Sequence, residues 1–293
     1  MKHDIATSSL LLRATPPQSH PYLLLMRLDR PIGIVLLMLP CFWGLALTHT
    51  RALYLYGLFA LGAFLMRSAG CIINDIIDQK TDALIQRTQT RPLPAGLITT
   101  PQALVLLALI LCCALAVLLA LPAHILLPTL ATVPFIILYP FIKRVSFYPQ
   151  VFLACLFNSP LLLAAYASLP PNHPLIPSLI PAYLSAILFT VAYDTVYAHM
   201  DIQDDRRVGV KSLAIKLGRH TRQVLYGLYA LSFLLLAGMI APTLPSTLLL
   251  ATAAITQLVC LSRLHLDDFA SCLRFFQQQA IILLLIFFAL LSH

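Results

Sequence analysis

Nine long apolar runs constrain this chain more than any other feature of its sequence. Each comes close to the roughly 20 residues that an α-helix needs to cross the hydrocarbon core of a bilayer. The runs cover approximately residues 31–48, 53–73, 103–121, 123–142, 150–169, 176–199, 224–240, 244–262 and 277–292. They predict an all-α membrane protein with nine transmembrane helices. We expect residues 1–293 to form one polytopic domain with an N-terminal tail over residues 1–25.

The composition excludes several other classes of protein. Hydrophobic residues make up 60% of the 293 residues and charged residues only 10%, whereas about 25% of a soluble domain is charged. This balance rules out a water-soluble enzyme and a disordered chain. The seven cysteines form no C-x-x-C pair, and we interpret them as small apolar fillers. The lipid bilayer is therefore the expected surrounding.

The basic residues predict an orientation in the membrane. They gather on one side of the nine-helix arrangement, and the other side carries only Arg51. By the positive-inside rule, the N-terminus and two long loops, about 74–102 and 200–223, are predicted to be cytoplasmic and the C-terminus periplasmic. The same rule explains the net charge of +8, so no nucleic-acid partner is predicted. The first 22 residues contain no recognisable signal or transit segment, which favours a bacterial cytoplasmic (inner) membrane.

The first loop opens with a cluster of carboxylates. Every acidic residue of the chain is an aspartate, and the stretch Asn74-Asp75-Ile-Ile-Asp78-Gln-Lys80-Thr-Asp82 contains three of them. Residues 74, 78 and 82 are four apart and share one face of a helix. Mg²⁺ prefers oxygen ligands and typically binds through one or two carboxylates together with substrate phosphates. The motif predicts a site for a magnesium-chelated phosphate; the alternative is a solvated helix end.

A second cluster opens the other long loop, and it contains Asp194, Tyr197, Asp201, Asp204 and Asp205. Residues 194, 201 and 205 are seven and eleven apart, so they are expected to align on one helical face. Asp194 falls about two turns inside an apolar run, where an ionisable side chain is costly and indicates function. Two such motifs suggest two metal sites that face each other across a diphosphate and offset the charge of a pyrophosphate leaving group.

Basic residues complete the predicted site. Arg67 shares a face with the first motif inside the membrane, as an anion clamp or as the partner of a structural ion pair. Lys143 and Arg144 follow the apolar fourth run, as substrate ligands or as topology anchors. The candidate substrate-binding residues are Lys80, Arg91, Lys143, Arg144, Tyr197 and Lys211.

Several stretches resemble the UbiA-type intramembrane prenyltransferases. They are Arg27 to Trp43, Met66 to Asp82, Arg91 to Gly96, Tyr139 to Arg144 and Tyr193 to Asp205. The stretches RPLPAG, YPFIKR and AYDTVYAHMD are similar to the branch of that family that acts on 4-hydroxybenzoate in ubiquinone biosynthesis. One departure is Ile202-Gln203, where members of the family often carry an additional acid.

The resemblance implies nine helices around a central cavity, with a cytoplasmic cap formed by the two long loops. It implies Mg²⁺, a polyprenyl diphosphate donor and 4-hydroxybenzoate as the acceptor, whose ring carbon ortho to the hydroxyl takes the prenyl group. By family role the catalytic candidates are Asp194 and Arg144, which match positions that the family uses around the aromatic acceptor, together with Arg67. Arg144 is the expected ligand of the acceptor carboxylate or of the adjoining diphosphate, and Arg67 is the alternative. The metal-binding candidates are Asn74, Asp75, Asp78, Asp82, Asp201, Asp204 and Asp205.

Two alternative functions remain open from the sequence. The chain could prenylate another acceptor, as the menaquinone-pathway and haem-pathway transferases do. It could instead be a secondary transporter with an intramembrane acidic site. A transporter is expected to carry its acids near the bilayer midplane, whereas most of the aspartates here follow the ends of two predicted helices, which favours a phosphate site.

Overall fold

A computed structural model describes residues 10–171, 173, 176–240 and 243–293, and all regular structure in those ranges is helical. Residues 1–9 of the predicted N-terminal tail lie outside them. We number the principal helices of the described ranges from the first apolar run onward. They are α1 Ile32–Leu47, α2 Leu53–Asp82, α3 Thr100–Leu119, α4 Val133–Val145, α5 Pro149–Ala167, α6 Ile180–His199, α7 Thr221–Ala237, α8 Leu244–Ser262 and α9 Phe269–Leu291.

The apolar lengths of these helices suit a membrane. In the described ranges, seven helical segments are long and apolar enough to cross one, and α1 is a shorter apolar helix. The segment that ends with α4 runs over Ala123–Val145 and is broken by turns. The outward faces of α3 and α8 carry exposed leucine, valine and isoleucine side chains, such as Leu109 and Ile255. Such continuous apolar surfaces are stable against lipid but not against water.

Helix α1 lies inside the bundle and packs against α2, α5 and α9, while α6 packs against α5, α7 and α9. Trp43 of α1 is fully buried, and its indole nitrogen donates a hydrogen bond to the carbonyl of Leu283 on α9 at 3.1 Å. A polar group in an apolar interior needs such a partner. These contacts fix the two ends of the chain against each other and hold α2 and α6, the helices that carry the acidic motifs.

Two helices are longer than their apolar runs predict. Helix α2 continues to Asp82, so residues 74–82 are helical and the first loop begins only at residue 83. Helix α9 begins at Phe269, eight residues before the predicted start, because the Asp268 carboxylate accepts hydrogen bonds from the backbone of Ala270 and Ser271 at 3.2 and 3.0 Å. This N-cap satisfies the free amides of the first turn.

The second motif does not lie on one continuous helix, so that prediction was wrong. Helix α6 ends at His199, and a separate short helix, Ile202–Val208, begins after Asp201. The backbone of Asp201 has φ −114° and ψ 4°, which is outside the helical range. Aspartate favours such a helix-starting position. Asp205 therefore projects from a different element than Asp194.

Candidate active site

The first motif forms one polar face at the end of α2, as its spacing predicts. Asn74, Asp78 and Asp82 are all on this helix; both aspartates are buried and Asn74 is half-buried. Asp75 points to other partners. Its two carboxylate oxygens accept from one nitrogen of Arg27, each at 2.8 Å, and one of them also accepts from Arg91 at 3.1 Å. These contacts favour a structural ion pair for Asp75 over the predicted metal ligation.

The basic end of α4 meets the first motif at Asp78. The Lys143 ammonium donates to one carboxylate oxygen, and Arg144 lies 3.3 Å from the other. Asp78 is only 1% exposed, whereas the Arg144 side chain is 47% exposed. The structure thus brings both predicted basic residues to Asp78, from which Lys143 is 65 and Arg144 is 66 residues distant along the chain. Their role as substrate ligands stays a prediction.

Arg91 joins the last turn of α2 to the loop that follows it. Its guanidinium lies 2.9 Å from Asp82 and 3.1 Å from Asp75, and the residue is buried. The loop, residues 83–99, is therefore drawn back against the helix that precedes it. Arg91 was predicted to bind substrate, but here it neutralises two acids of the motif.

The second motif is held by an arginine that the sequence did not single out. Arg87, in the 83–99 loop, donates to both carboxylate oxygens of Asp201 at 2.5–2.9 Å and to the Tyr197 hydroxyl at 3.2 Å. Its guanidinium also lies 5.3 Å from the centre of the Tyr197 ring. The backbone of Gln86 donates to Asp204 at 3.3 Å. The two acidic motifs are thus joined through the loop that follows the first one.

Asp205 lies in the same charged region, and its carboxylate forms no hydrogen bond or ion pair within the part of the chain that the structure describes. Burial, reinforced by the Asp201 carboxylate, raises the pKa of Asp205 to about 7, and Lys143 and Arg87 oppose that shift. A carboxyl group with such a pKa is fully ionised at neutral pH only when a further cation approaches it.

Arg67 and Asp194 form a second, deeper layer. Arg67 precedes Asp78 by eleven residues on α2, which corresponds to about 16 Å along a helix axis. Its guanidinium interacts electrostatically with Asp194, Tyr139 and Tyr197. Its buried Nε has no hydrogen-bond partner among the described residues. A buried donor without a partner at this depth makes Arg67 a candidate ligand for an anion.

Two predicted binding residues are not directed at the aspartates. Lys80 is exposed. The Lys211 ammonium donates to the carbonyl of Val145 at 3.1 Å and lies 5.5 Å from the centre of the Phe147 ring. Lys211 therefore fastens the 200–220 segment to the end of α4, where its backbone amide also donates to the carbonyl of Lys143 at 2.9 Å. Substrate binding by Lys80 and Lys211 stays a prediction.

The side chains of the two acidic motifs have suitable donor atoms for a divalent cation, but they do not form a complete coordination sphere. Within the described part of the chain, no three acidic, histidine or cysteine side chains converge as a metal-binding group. The donors of both motifs are hard oxygens, and Mg²⁺ needs only one or two carboxylates when phosphate and water supply the rest. That requirement is met by two pairs of aspartates, Asp78 with Asp82 and Asp201 with Asp205, once the basic side chains that pair with them move aside.

Arg27 and Arg87 are the residues that sequence reasoning missed. Each pairs with an aspartate far along the chain, at a separation of 48 residues for Arg27 and 114 for Arg87. No local spacing reveals such pairs. The available signal was only that each is a basic residue close to a recognised stretch: Arg27 opens the RLDRPIG segment, and Arg87 lies between the first motif and RPLPAG.

A groove opens at the aspartate end, between the beginnings of α1 and α9. It has a volume of about 470 Å³ and is lined by Asp29, Arg30, Pro31, Ile32, Val35, Leu273 and Gln277. Both apolar and charged side chains line it.

Comparison with known proteins identifies what the chain is similar to. Residues 37–291 match the model of the UbiA prenyltransferase family. The chain is 38% identical over 226 residues to a mitochondrial 4-hydroxybenzoate polyprenyltransferase of Caenorhabditis elegans, which covers 75% of this chain and 62% of that protein. The mouse protein of the same name is 40% identical over 238 residues, 79% of this chain and 63% of the relative. The chain thus spans about six-tenths of the length of these relatives.

Solved structures show the same fold. An apo UbiA homologue from Aeropyrum pernix superposes with a TM-score of 0.74 at 23% identity, over 85% of this chain and 94% of that one. A UbiA homologue from Archaeoglobus fulgidus, bound to GPP and Mg²⁺, superposes with a TM-score of 0.67 at 22% identity, over 93% and 100%. At this identity the likeness establishes the helical membrane fold.

The relatives also correct the predicted localisation. We expected a bacterial cytoplasmic membrane, with a cytoplasmic N-terminus and a periplasmic C-terminus. That prediction is wrong, because the curated relatives are mitochondrial proteins of eukaryotes, from the nematode to human and Arabidopsis thaliana. The multi-pass membrane character remains supported.

Proposed function

Because the chain belongs to the UbiA prenyltransferase family, we propose that it transfers a polyprenyl group from a polyprenyl diphosphate to 4-hydroxybenzoate. The product would be 3-polyprenyl-4-hydroxybenzoate, an intermediate for ubiquinone biosynthesis. The names of the curated relatives support this choice of acceptor. The mitochondrial names of those relatives also support a mitochondrial inner membrane as its location.

The observation that carries the proposal is the separation of two charged layers by depth. The outer layer combines both aspartate motifs with Lys143 and Arg144. The deeper layer contains Arg67 and Asp194. A diphosphate on one substrate and a carboxylate on the other would need two such separate anion sites.

In the outer layer, Asp78, Asp82, Asp201 and Asp205 would hold Mg²⁺, with Asn74 and Asp204 beside them. When bound, Mg²⁺ supplies positive charge that stabilises the leaving diphosphate. Lys143 and Arg144 would exchange their contacts with Asp78 for the diphosphate oxygens. Asp75 would keep its pair with Arg27 and orient the helix end.

In the deeper layer, Arg67 would bind the carboxylate of 4-hydroxybenzoate and direct the hydroxyl-bearing edge of the ring toward the donor. The allylic C–O bond breaks and the electron pair leaves with the diphosphate. The ring carbon ortho to the hydroxyl forms the new C–C bond and then loses its proton, for which Asp194 is our candidate acceptor. The surrounding apolar helices keep water away from the carbocation.

The architecture proposed for this reaction has nine membrane-spanning helices in one domain. The 83–99 loop and the 200–220 segment would form a cap over the outer layer, which the contacts of Arg87 with Asp201 support. The isoprenoid chain would follow the apolar groove between α1 and α9 toward the lipid. Residues 1–25 were predicted to form a tail, but in the described part of that stretch Leu24 and Leu25 are buried, and Leu25 lies in one core cluster with Leu65 and Ile72.

The test is a prenyl-transfer assay on the purified protein in lipid nanodiscs. Geranyl or longer diphosphates would be offered with 4-hydroxybenzoate, with a dihydroxynaphthoate or with haem, in Mg²⁺ or in EDTA. Mass spectrometry should detect the 3-prenyl product only with 4-hydroxybenzoate and Mg²⁺. Prenylation of another acceptor in its place, or uptake of a solute without transfer, would replace this function with one of the alternatives.

A further inference from the structure

Gly33 in the first turn of α1 lies directly against the guanidinium of Arg67. A Cβ atom built on Gly33 would be 2.6 Å from Nε, 2.9 Å from Nη2 and 3.1 Å from Cζ of that arginine. Gly33 is buried. All three contacts are to the charged end of one side chain, so the absence of a side chain at residue 33 creates the recess in which that charge lies.

The backbone gives no other reason for a glycine here. The glycines with positive φ among the described residues are Gly96, Gly209 and Gly218, so Gly33 has a conformation that alanine adopts freely. Within a helix, alanine is the better residue. A glycine that weakens the start of α1 and is not required by φ is explained by the space that Arg67 occupies.

The recess fixes the position of a guanidinium that still has an unsatisfied hydrogen-bond donor. The buried Nε of Arg67 has no hydrogen-bond partner among the described residues. The guanidinium interacts electrostatically with Asp194 on α6 and Tyr139 on α4. Three helices therefore converge on this charge, and α1 contributes to it only by leaving room.

We propose that Gly33 is a positioning residue that fixes Arg67 for the carboxylate of the aromatic acceptor and thereby contributes to acceptor selectivity. The inference rests on the proposed function for the identity of the anion. The packing of Arg67 against Gly33 does not depend on that identity. An added methyl group would push the guanidinium away, because the end of a long side chain moves more easily than a helix backbone.

Gly33→Ala tests the proposal, with Gly70→Ala as the matched control. Gly70 is on α2, three residues after Arg67, and a Cβ there meets nothing within 4 Å. We expect Gly33→Ala to keep or raise Tm and to raise KM for 4-hydroxybenzoate about tenfold, as for a weakened hydrogen bond to a charged group. KM for the prenyl diphosphate should stay unchanged. An increase confined to the donor would overturn the assignment to the acceptor carboxylate.

Two further measurements separate this inference from the proposed function. In an Arg67→Ala background, Gly33→Ala should have no additional effect on acceptor KM; an equal effect in both backgrounds would refute positioning through Arg67. Independently of turnover, modification of Arg67 by phenylglyoxal, followed by peptide mass spectrometry, should be faster in Gly33→Ala than in wild type or Gly70→Ala. Unchanged modification would overturn the proposal even in an active enzyme, and a faster rate would support it even if 4-hydroxybenzoate is not the acceptor.

Discussion

Protein cations lie beside the aspartates that are proposed to bind the metal. Lys143 pairs with Asp78 and also interacts electrostatically with Asp82 and Asp205. It therefore sits between the two motifs, where a divalent ion would have to act. Acids brought together in this way repel one another unless a cation separates them. Lysine and arginine side chains can perform that task until substrate arrives.

The first prediction concerns this exchange of cations. Asp78→Asn and Asp201→Asn keep side-chain size but remove the charge that a metal needs. We expect each to lower prenyl-transfer turnover by about 10²–10³, the usual effect of losing one electrostatic contact to a transition state. The measurement is initial rate against Mg²⁺ concentration, with Tm to confirm folding.

Asp268→Asn serves as the control for that pair. Asp268 caps α9 with its carboxylate, and asparagine caps a helix about as well as aspartate. Its activity should therefore remain near wild type. If Asp78→Asn or Asp201→Asn also turned over normally at saturating Mg²⁺, the corresponding motif would have no part in metal binding.

The second prediction separates the two arginines by depth. Arg144 lies at Asp78 in the outer layer, whereas Arg67 lies in the deeper one. Lysine keeps the charge but loses the bidentate fork. We expect Arg144→Lys to raise KM for the diphosphate and Arg67→Lys to raise KM for 4-hydroxybenzoate. Each alanine variant should lose about 2–5 kcal/mol in kcat/KM. The opposite assignment of the two KM changes would return the acceptor carboxylate to Arg144.

The sequence predicted part of this site and missed the rest for a clear reason. Asn74, Asp78 and Asp82 could be placed on one face because their spacing is local. Arg67 stood out because a charge inside an apolar run is rare. Arg87 could not be recognised, since its partner Asp201 is 114 residues away. Only the folded bundle brings the two together.

At the level of elements, hydrophobic length predicts which segments are helical better than where they end. The apolar run at 53–73 ends where the first acidic motif begins, whereas α2 continues through nine more residues to Asp82. The acids of this extension pair with Arg27, Arg91 and Lys143. The break after α6 carries no proline or glycine. At this break Asp201 pairs with Arg87, a tertiary contact that no local pattern reveals.

The third prediction concerns the closest helix contact. A Cβ on Gly44 of α1 would lie 2.1 Å from the carbonyl oxygen of Leu161 on α5. Both partners are backbone in helix interiors, so relief requires α1 and α5 to separate. We expect Gly44→Ala to destabilise the protein by about 3 kcal/mol or more, at the upper end of overpacking effects. Thermal unfolding in detergent measures it.

Gly57→Ala is the matched control for that substitution. Gly57 lies inside α2, and a Cβ there meets nothing within 4 Å. Because alanine is the better helix former, Tm of this variant should stay equal or rise. A loss of stability as large as that of Gly44→Ala would mean that glycine flexibility, rather than close packing of α1 on α5, explains the result.

At the scale of the whole molecule, charge holds the aspartate end together and apolar packing holds the rest. Helices α1, α5, α6 and α9 share a core of buried apolar side chains. The loops join through ion pairs, with Arg91 securing the 83–99 loop to α2 and Arg87 securing it to the second motif. Ion pairs can exchange partners when a charged substrate arrives, whereas the packed core cannot. This division suits the cap that we propose over the outer layer of a packed bundle.

The fourth prediction tests that division. Thr88, next to Arg87 in the loop, is only 2% exposed, so a cysteine at residue 88 reacts with a maleimide only when the loop opens. In a background without the native thiols, Arg87→Ala removes a charge-assisted contact of about 1.5–3 kcal/mol. The Thr88→Cys thiol should then be labelled about tenfold faster or more. Arg207→Ala is the control, because Arg207 faces Asp204 at 3.7 Å but is 80% exposed, and such surface pairs contribute little. Equal labelling in the two variants would mean that the loop is held by its own packing and that Arg87 does not close the cap.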